Sequence, residues 1–110
     1  MRRGEVRWYT FAAPDKRRPV LLLTRNAALS FLTGITVAPI TTTVRNIPTE
    51  VLLTPAEDGT PQLCVVNVDN LQTVQKAQVG SIITTLDPQR MAEVEQAICF
   101  ALGMDRFISR

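Results

Sequence analysis

Short runs of Val, Ile, Leu and Thr, each ended by turn-forming residues, are the feature that most restricts the fold of this chain. Runs of this kind are typical of short β-strands, because branched side chains fit a pleated, partly buried surface. They span residues 5–11, 19–24, 35–42, 49–54 and 63–69. A turn signal at Asp58-Gly59 separates the last two runs and predicts that they pair antiparallel. The sequence therefore predicts a small, mainly antiparallel barrel or curled sheet.

The segment 88–102 has the pattern of an amphipathic helix. Its apolar residues recur at spacings of three and four, and include Met91, Val94, Ala97, Ile98, Ala101 and Leu102. Asp87 can cap the first amides, Pro88 suits the first helical position, and Gly103 suits the end. We expect this helix to pack on the sheet and a second, short helix to form over residues 26–32. The predicted fold class is therefore mainly β with helices (α+β).

The length of 110 residues predicts a single domain over residues 1–110, with a flexible tail over 104–110. Cys64 and Cys99 lie in apolar runs and have no nearby partner in the sequence, as is typical of buried thiols in a reducing compartment. No apolar run approaches the length of a membrane span, and no signal-peptide pattern opens the chain. We therefore expect a cytoplasmic protein.

The chain contains no histidine. This excludes a Ser-His-Asp triad, a Cys-His dyad, a nuclease with paired histidines and every histidine-ligated metal site. Proton transfer must therefore use other side chains.

The charges are unevenly distributed along the chain. Residues 1–45 carry eight basic and two acidic residues, a net charge of +6, whereas the remainder carries four basic and eight acidic residues, a net charge of −4. This asymmetry indicates a surface for a polyanion such as a nucleic-acid backbone, unless folding mixes the two halves on the surface.

Three segments carry the polar groups from which a site can be built. Lys16-Arg17-Arg18-Pro19 stands before a buried run, and an arginine there can bind two phosphate oxygens at once, although a solubilising loop explains the same cluster. In the run that ends at Thr41-Thr42-Thr43, the hydroxyls of Thr41 and Thr43 share one face, although threonine is also a common strand residue.

The third segment runs from Cys64 to Asn70. Alternation predicts that Asn67 and Asp69 project together from the face opposite Cys64, although Asp69-Asn70 is equally a turn signal. The aromatic side chains Trp8, Tyr9 and Phe31 can stack on bases, but with so few aromatics we expect them in the core.

Seven fragments occur in order between residues 2 and about 103. They are Arg3-Gly4-Glu5-Val6, Arg18-Pro19-Val20-Leu21, Val37-Ala38-Pro39-Ile40-Thr41, Pro48-Thr49-Glu50-Val51, Val68-Asp69-Asn70-Leu71-Gln72-Thr73-Val74, Val79-Gly80 and Leu102-Gly103. Together they resemble the MazF/PemK toxins of type II toxin–antitoxin modules, which are sequence-selective endoribonucleases. The resemblance implies a small SH3-like/PemK-like antiparallel barrel with a C-terminal helix.

The resemblance also implies roles for particular residues. The arginine of the Arg-Pro motif corresponds to Arg18 and the threonine that ends the small apolar strand corresponds to Thr41, which together are the family's catalytic pair. Glu50 and Asp69 correspond to acidic residues that support catalysis. Further RNA contacts are expected from Lys16, Arg17, Arg25, Thr43, Arg45 and Asn67.

The implied reaction is cleavage of single-stranded RNA by attack of the ribose 2′-hydroxyl, with no metal and no cofactor. The implied partners are a second copy of the chain and an acidic, partly disordered antitoxin. The loop 12–17 is shorter than in the family and lacks glycine, Asn70 replaces a glutamine, and Gln72 replaces a basic residue, so the recognised RNA sequence is left open. Two alternatives also stay open: a toxin of the same fold that inhibits DNA gyrase, and a nucleic-acid-binding barrel without activity.

Overall fold

Seven strands and three α-helices make up the computed structural model, which describes residues 1–12, 16–104 and 106. The strands are β1 (Glu5–Thr10), β2 (Arg17–Leu22), β3 (Gly34–Thr41), β4 (Glu50–Leu53), β5 (Cys64–Asn67), β6 (Gln72–Gln75) and β7 (Ile82–Thr85). The helices are α1 (Asn26–Leu29), α2 (Pro55–Asp58) and α3 (Pro88–Ala101), and 3-10 turns form at Val68–Asn70 and Lys76–Gln78. The predicted flexible tail falls mostly on residues 105 and 107–110, which lie outside the described residues.

The strands form one curled antiparallel sheet in the order β4-β5-β3-β2-β1-β7. β3 is the central strand: β2 pairs with one of its edges, while β6 and then β5 share the other edge. The predicted fold class, a mainly antiparallel curled sheet with a C-terminal helix, is confirmed.

Two apolar clusters cover the two faces of this sheet. One cluster joins α3, through Met91, Val94 and Ala97, to strand residues such as Leu21 and Val66. The other cluster lies on the opposite face and consists of Val20, Leu22, Leu29, Ile35, Val37 and Val74. The core is therefore built from aliphatic side chains, and α3 has the structural role that its sequence pattern predicts.

The ends of α3 follow the predicted signals. The Asp87 carboxylate accepts a hydrogen bond from the backbone N–H of Arg90 at 2.7 Å, Pro88 occupies the first turn, and Gly103 has a φ of +71° just beyond the helix. The helix begins at Pro88 as predicted and ends at Ala101, one residue before the predicted end.

The structure corrects several other elements. The helix predicted over 26–32 ends at Leu29, and β5 is shorter than the predicted strand over 63–69. Residues near Asp58-Gly59 form the one-turn helix α2, which Thr54 caps and Gly59, at a φ of +74°, ends. β4 and β5 still pair antiparallel as predicted. β6 and β7 were not predicted, because their sequences, QTVQ and IITT, have no strong alternation of apolar and polar residues.

Among the described residues, no helix is both long and apolar enough to cross a membrane.

Candidate nucleic-acid cleavage site

A cavity of about 390 Å³ lies where β2 begins and β3 ends. Residues from both strands, from β1 and from the segment before β5 form its wall. They are Trp8, Lys16, Arg17, Arg18, Pro19, Ile40, Thr41, Thr42, Pro61, Gln62 and Cys64. Arg18 and Thr41, the predicted catalytic pair, therefore line the same cavity.

The pairing of β2 with β3 explains this juxtaposition. The ladder runs from Leu22–Val37 to Val20–Pro39 and is antiparallel. Pro19 and Pro39 have no backbone N–H, so neither residue can donate a hydrogen bond to the neighbouring strand. If the register is continued for two residues beyond the last pair, Arg18 stands opposite Thr41. Side chains alternate along a strand, so these two residues belong to the same face of the sheet.

The hydroxyl of Thr41 is oriented by the backbone that follows it. The N–H of Thr43 donates a hydrogen bond to Thr41 Oγ1 at 3.2 Å. A hydroxyl has one donor and two acceptor positions, so this contact leaves the Thr41 O–H free to donate. The acceptor best suited to that donor is an anionic oxygen such as one of a phosphate.

The positive charge around the cavity is not neutralised by carboxylates of the described residues. Lys16, Arg17 and Arg18 are exposed, and no carboxylate in the described part of the chain forms an ion pair with them. By contrast, three other basic residues of the N-terminal half form ion pairs, in the pairs Arg3–Glu95, Arg7–Glu5 and Arg45–Glu50. Of the five basic residues of the N-terminal half without an ion pair to a described residue, Lys16, Arg17 and Arg18 therefore lie at this cavity, whereas Arg2 and Arg25 lie outside it.

Arg18 also lines a second, smaller cleft of about 250 Å³, together with Phe11, Pro39, Asn70 and Gln72. Arg18 thus lies at the boundary between two recesses. A chain of phosphates that contacts Arg18 has a recess on either side of the contact.

The two predicted supporting carboxylates lie outside this cavity. The side chain of Glu50 is 2% exposed and lines a groove between β4 and α3, and its Oε1 accepts a hydrogen bond from the backbone N–H of Arg45 at 2.8 Å. The carboxylate of Asp69 accepts a hydrogen bond from the Thr49 hydroxyl at 2.5 Å. The structure therefore does not bring either carboxylate together with Arg18 and Thr41.

The predicted RNA-binding residues divide into two groups. Lys16 and Arg17 line the cavity, whereas Arg25, Thr43 and Arg45 are exposed outside it.

The prediction that Asn67 and Asp69 project together from one face at the end of a strand is wrong. All four residues of β5, including Asn67, are buried, whereas Asp69 lies beyond the strand in the 3-10 turn and is exposed. The side-chain oxygen of Asn67 accepts the N–H of Asp69 at 3.0 Å and caps the 3-10 turn, in agreement with the turn signal.

Several lining residues were not predicted from the sequence. Trp8 was expected in the core, but it lies in the cavity wall with the Arg17 guanidinium 4.2 Å from the centre of its ring. Phe31, also expected in the core, is 72% exposed and lies outside the cavity. Gln62 carries no pattern that marks it, since only the folding of distant segments brings it to the cavity. Asn70 and Gln72, which the resemblance marks as departures from the family, line the smaller cleft with Arg18.

Other chemistry at the cavity is limited by the residues present. Burial raises the pKa of the Cys64 thiol, so this side chain is held in its neutral, weakly nucleophilic form. No group of three or more Cys, Asp or Glu side chains among the described residues is arranged to hold a metal ion. The cavity therefore offers positive charge and hydrogen-bond donors.

Comparisons with known proteins confirm the predicted family. Residues 2–102 match the family model described as PemK-like, MazF-like toxin of type II toxin-antitoxin system. Endoribonuclease MazF3 of Mycobacterium tuberculosis is 46% identical over 89 residues, which cover 81% of this chain and 82% of that protein. The solved toxin MazF-mt6 of the same organism is 40% identical, with a TM-score of 0.82 and coverage of 92% of this chain and 98% of that chain.

A second solved structure adds a partner. An endoribonuclease from a mycobacterial species, solved in complex with its cognate antitoxin, has a TM-score of 0.82 and 29% identity, over 94% of this chain and 96% of that chain. With a family match over almost the whole length, this chain belongs to the PemK-like, MazF-like toxins of type II toxin–antitoxin systems.

Proposed function

We propose that this protein is a toxin that cleaves single-stranded RNA without a metal ion, and that Arg18 and Thr41 are its catalytic residues. The observation that carries the proposal is that both residues line one cavity beside Lys16 and Arg17. Neither Lys16 nor Arg17 forms an ion pair with a carboxylate of the described residues. The relatives named endoribonuclease support the reaction class.

The reaction is a transfer within the RNA chain. The 2′-oxygen attacks the adjacent phosphorus, the bond from phosphorus to the 5′-oxygen breaks, and a 2′,3′-cyclic phosphate and a 5′-hydroxyl result. The 2′-hydroxyl loses its proton to solvent, and the departing 5′-oxygen gains one from solvent. Single-stranded RNA is the expected substrate because its bases are accessible for selective contacts.

The two residues act on the phosphate in different ways. Arg18 keeps its charge at every physiological pH and can donate two hydrogen bonds to the phosphoryl oxygens as negative charge develops on them. Thr41 donates one hydrogen bond and fixes the position of the phosphate. Glu50 acts at a distance, because it holds the backbone of Arg45 in the segment that follows Thr41.

The test is cleavage of a complex RNA pool in excess chelator. We expect the natural protein to cleave, and Arg18→Ala to lower kcat/KM by at least about a hundredfold, since one lost donor to a developing oxyanion costs that much. Arg2→Ala is the matched control, because Arg2 is also an exposed arginine without an ion pair to any described residue and lies outside the cavity. RNA left intact by excess natural protein would refute the proposed activity.

We also propose that an antitoxin covers this cavity. The solved relative in complex with its cognate antitoxin supports such a partner. The unpaired charges of Lys16, Arg17 and Arg18 favour an acidic segment, partly disordered before it binds, which would occupy the position of the RNA phosphates. Because its substrate would be cellular RNA, the proposed activity belongs in the cytoplasm.

A homodimer is the third part of the proposal. Strand β4 pairs with β5 alone among the described strands, and Leu52 (45% exposed) and Phe100 (52% exposed) leave apolar surface in the groove between β4 and α3. Because an unpaired strand edge beside exposed apolar side chains is typical of an interaction surface, the groove favours a second copy of the chain that covers it.

A further inference from the structure

We propose that the cavity beside Arg18 is a nucleobase subsite, in which a base next to the bound phosphate stacks on the paired side chains of Trp8 and Arg17 and is read by Gln62. This inference rests on the proposed RNA cleavage and adds to it the group that selects the base.

The wall of the cavity suits a flat, aromatic ligand. Trp8, Pro19, Ile40 and Pro61 supply apolar surface, and the volume of about 390 Å³ lies within the range of small-molecule sites, about 300–1,000 Å³. Stacking on an aromatic ring or on a guanidinium plane is the usual way in which proteins hold an unpaired base.

The Trp8–Arg17 pair is already assembled. Trp8 stands opposite Pro19 in the β1–β2 ladder and Arg17 stands opposite Thr10, so alternation places both side chains on the same face. The guanidinium lies 4.2 Å from the centre of the indole ring, with no ion pair to any described carboxylate. A preformed stack lowers the entropic cost of binding a base, because fewer side chains must be ordered.

Gln62 is the lining residue with a free amide. Its backbone carbonyl accepts a hydrogen bond from the hydroxyl of the buried Thr60 at 3.0 Å, which fixes the segment before β5. Its side chain is exposed and has no hydrogen-bond partner among the described residues. A side-chain amide carries both donors and an acceptor, so it can distinguish bases by the pattern of groups on their edges.

Arg18 connects the subsite to the reaction centre. It lines both this cavity and the cleft with Asn70 and Gln72, so a phosphate bound by Arg18 has a neighbouring base within reach of the cavity. The phosphate contact therefore sets the position of the strand, while the cavity supplies selectivity.

Trp8 is the only tryptophan of the chain, so its fluorescence reports binding in this cavity. The full-length protein is titrated with four DNA tetranucleotides, each of a single base, and with an abasic chain of equal charge. These probes lack the 2′-hydroxyl, so the readout does not depend on cleavage. We expect at least one base to quench Trp8 with a Kd about tenfold lower than that of the abasic chain.

Gln62→Leu should bring the preferred base to within about threefold of the others, because it removes the amide but keeps the bulk of the side chain. Gln89→Leu, on the exposed side of α3, is the matched control and should keep the preference. The inference is overturned if the abasic chain quenches equally well, if no probe quenches, or if Gln62→Leu leaves the order of the bases unchanged. RNA cleavage by the same preparation is measured in parallel, so that loss of the proposed function is recognised separately.

Discussion

In the proposed reaction, Arg18 and Thr41 supply different interactions to a phosphate, and their surroundings explain why each is suited to its proposed role. Arg18 is an exposed cation at the boundary of two recesses, whereas Thr41 is half-buried and its oxygen already accepts the Thr43 N–H. Both positions are marked in the sequence, because short motifs surround them. Trp8 and Gln62 were missed because an aromatic on a strand and an amide in a loop have no signature before the fold brings them together.

The Thr41 hydroxyl is expected to matter through its single donated hydrogen bond. Thr41→Val keeps the shape and branching of the side chain but removes the donor, so kcat/KM for RNA cleavage should fall about tenfold to a hundredfold, the value of a hydrogen bond to a charged group. Thr41→Ser keeps the donor and should stay within about threefold of the natural protein. Initial rates on a short fluorogenic RNA measure both variants, and Thr41→Val at the natural rate would remove this residue from the proposed mechanism.

Among the elements, the end of the β2–β3 ladder positions the candidate site, and an ion pair between Asp58 and Arg90 links α2 to α3. The Asp58 carboxylate, whose side chain is 3% exposed, accepts hydrogen bonds from Arg90 Nε at 3.0 Å and Nη2 at 3.1 Å, and it also accepts the Thr54 N–H at 2.9 Å. The hydrogen bonds to Asp58 raise the pKa of the Arg90 guanidinium, so Arg90 keeps its positive charge at all relevant pH values. The sequence predicts α3 and the turn near Asp58, but not that a turn residue and a helix residue 32 positions apart form this pair.

Arg90→Ala should lower the free energy of unfolding by about 3 kcal/mol, because it leaves a buried carboxylate without its cation. Glu95→Ala is the control for a surface pair, since the Glu95 side chain is 50% exposed and its ion pair with Arg3 should contribute less than about 1 kcal/mol. Urea unfolding at pH 7 compares the two variants. Equal losses of unfolding free energy in the two variants would show that burial of Asp58 does not make its ion pair more stabilising than a surface pair.

For the whole molecule, the uneven charge distribution has a structural explanation. Ion pairs neutralise Arg3, Arg7 and Arg45, while Lys16, Arg17 and Arg18 form a group of unpaired cations at one cavity, separate from the unpaired Arg2 and Arg25. The sequence therefore predicts the sign and approximate place of the binding surface, but only the fold separates its paired from its unpaired cations.

The proposed dimer is tested by light scattering coupled to size-exclusion chromatography. At micromolar concentration the mass should be about twice the chain mass of 12.2 kDa. Introducing a charge in the β4–α3 groove by Leu52→Glu or Phe100→Glu should produce monomers, because it would bury an unpaired carboxylate. Phe31→Glu changes an exposed phenylalanine outside this groove and should stay dimeric. A monomeric natural protein would contradict the dimer, and a dimeric Leu52→Glu would place its interface elsewhere.

The most direct test of RNA cleavage by 2′-hydroxyl attack uses one chemical change in the substrate. An RNA with a single mapped cleavage site is compared, in chelator, with the same RNA carrying a 2′-deoxyribose at the nucleotide whose 2′-oxygen would attack. We expect 2′-hydroxyl attack to leave a 2′,3′-cyclic phosphate on the natural RNA and to give no cleavage at that phosphate in the 2′-deoxy RNA. Cleavage of both substrates at similar rates would contradict it, because the nucleophile would then come from outside the RNA.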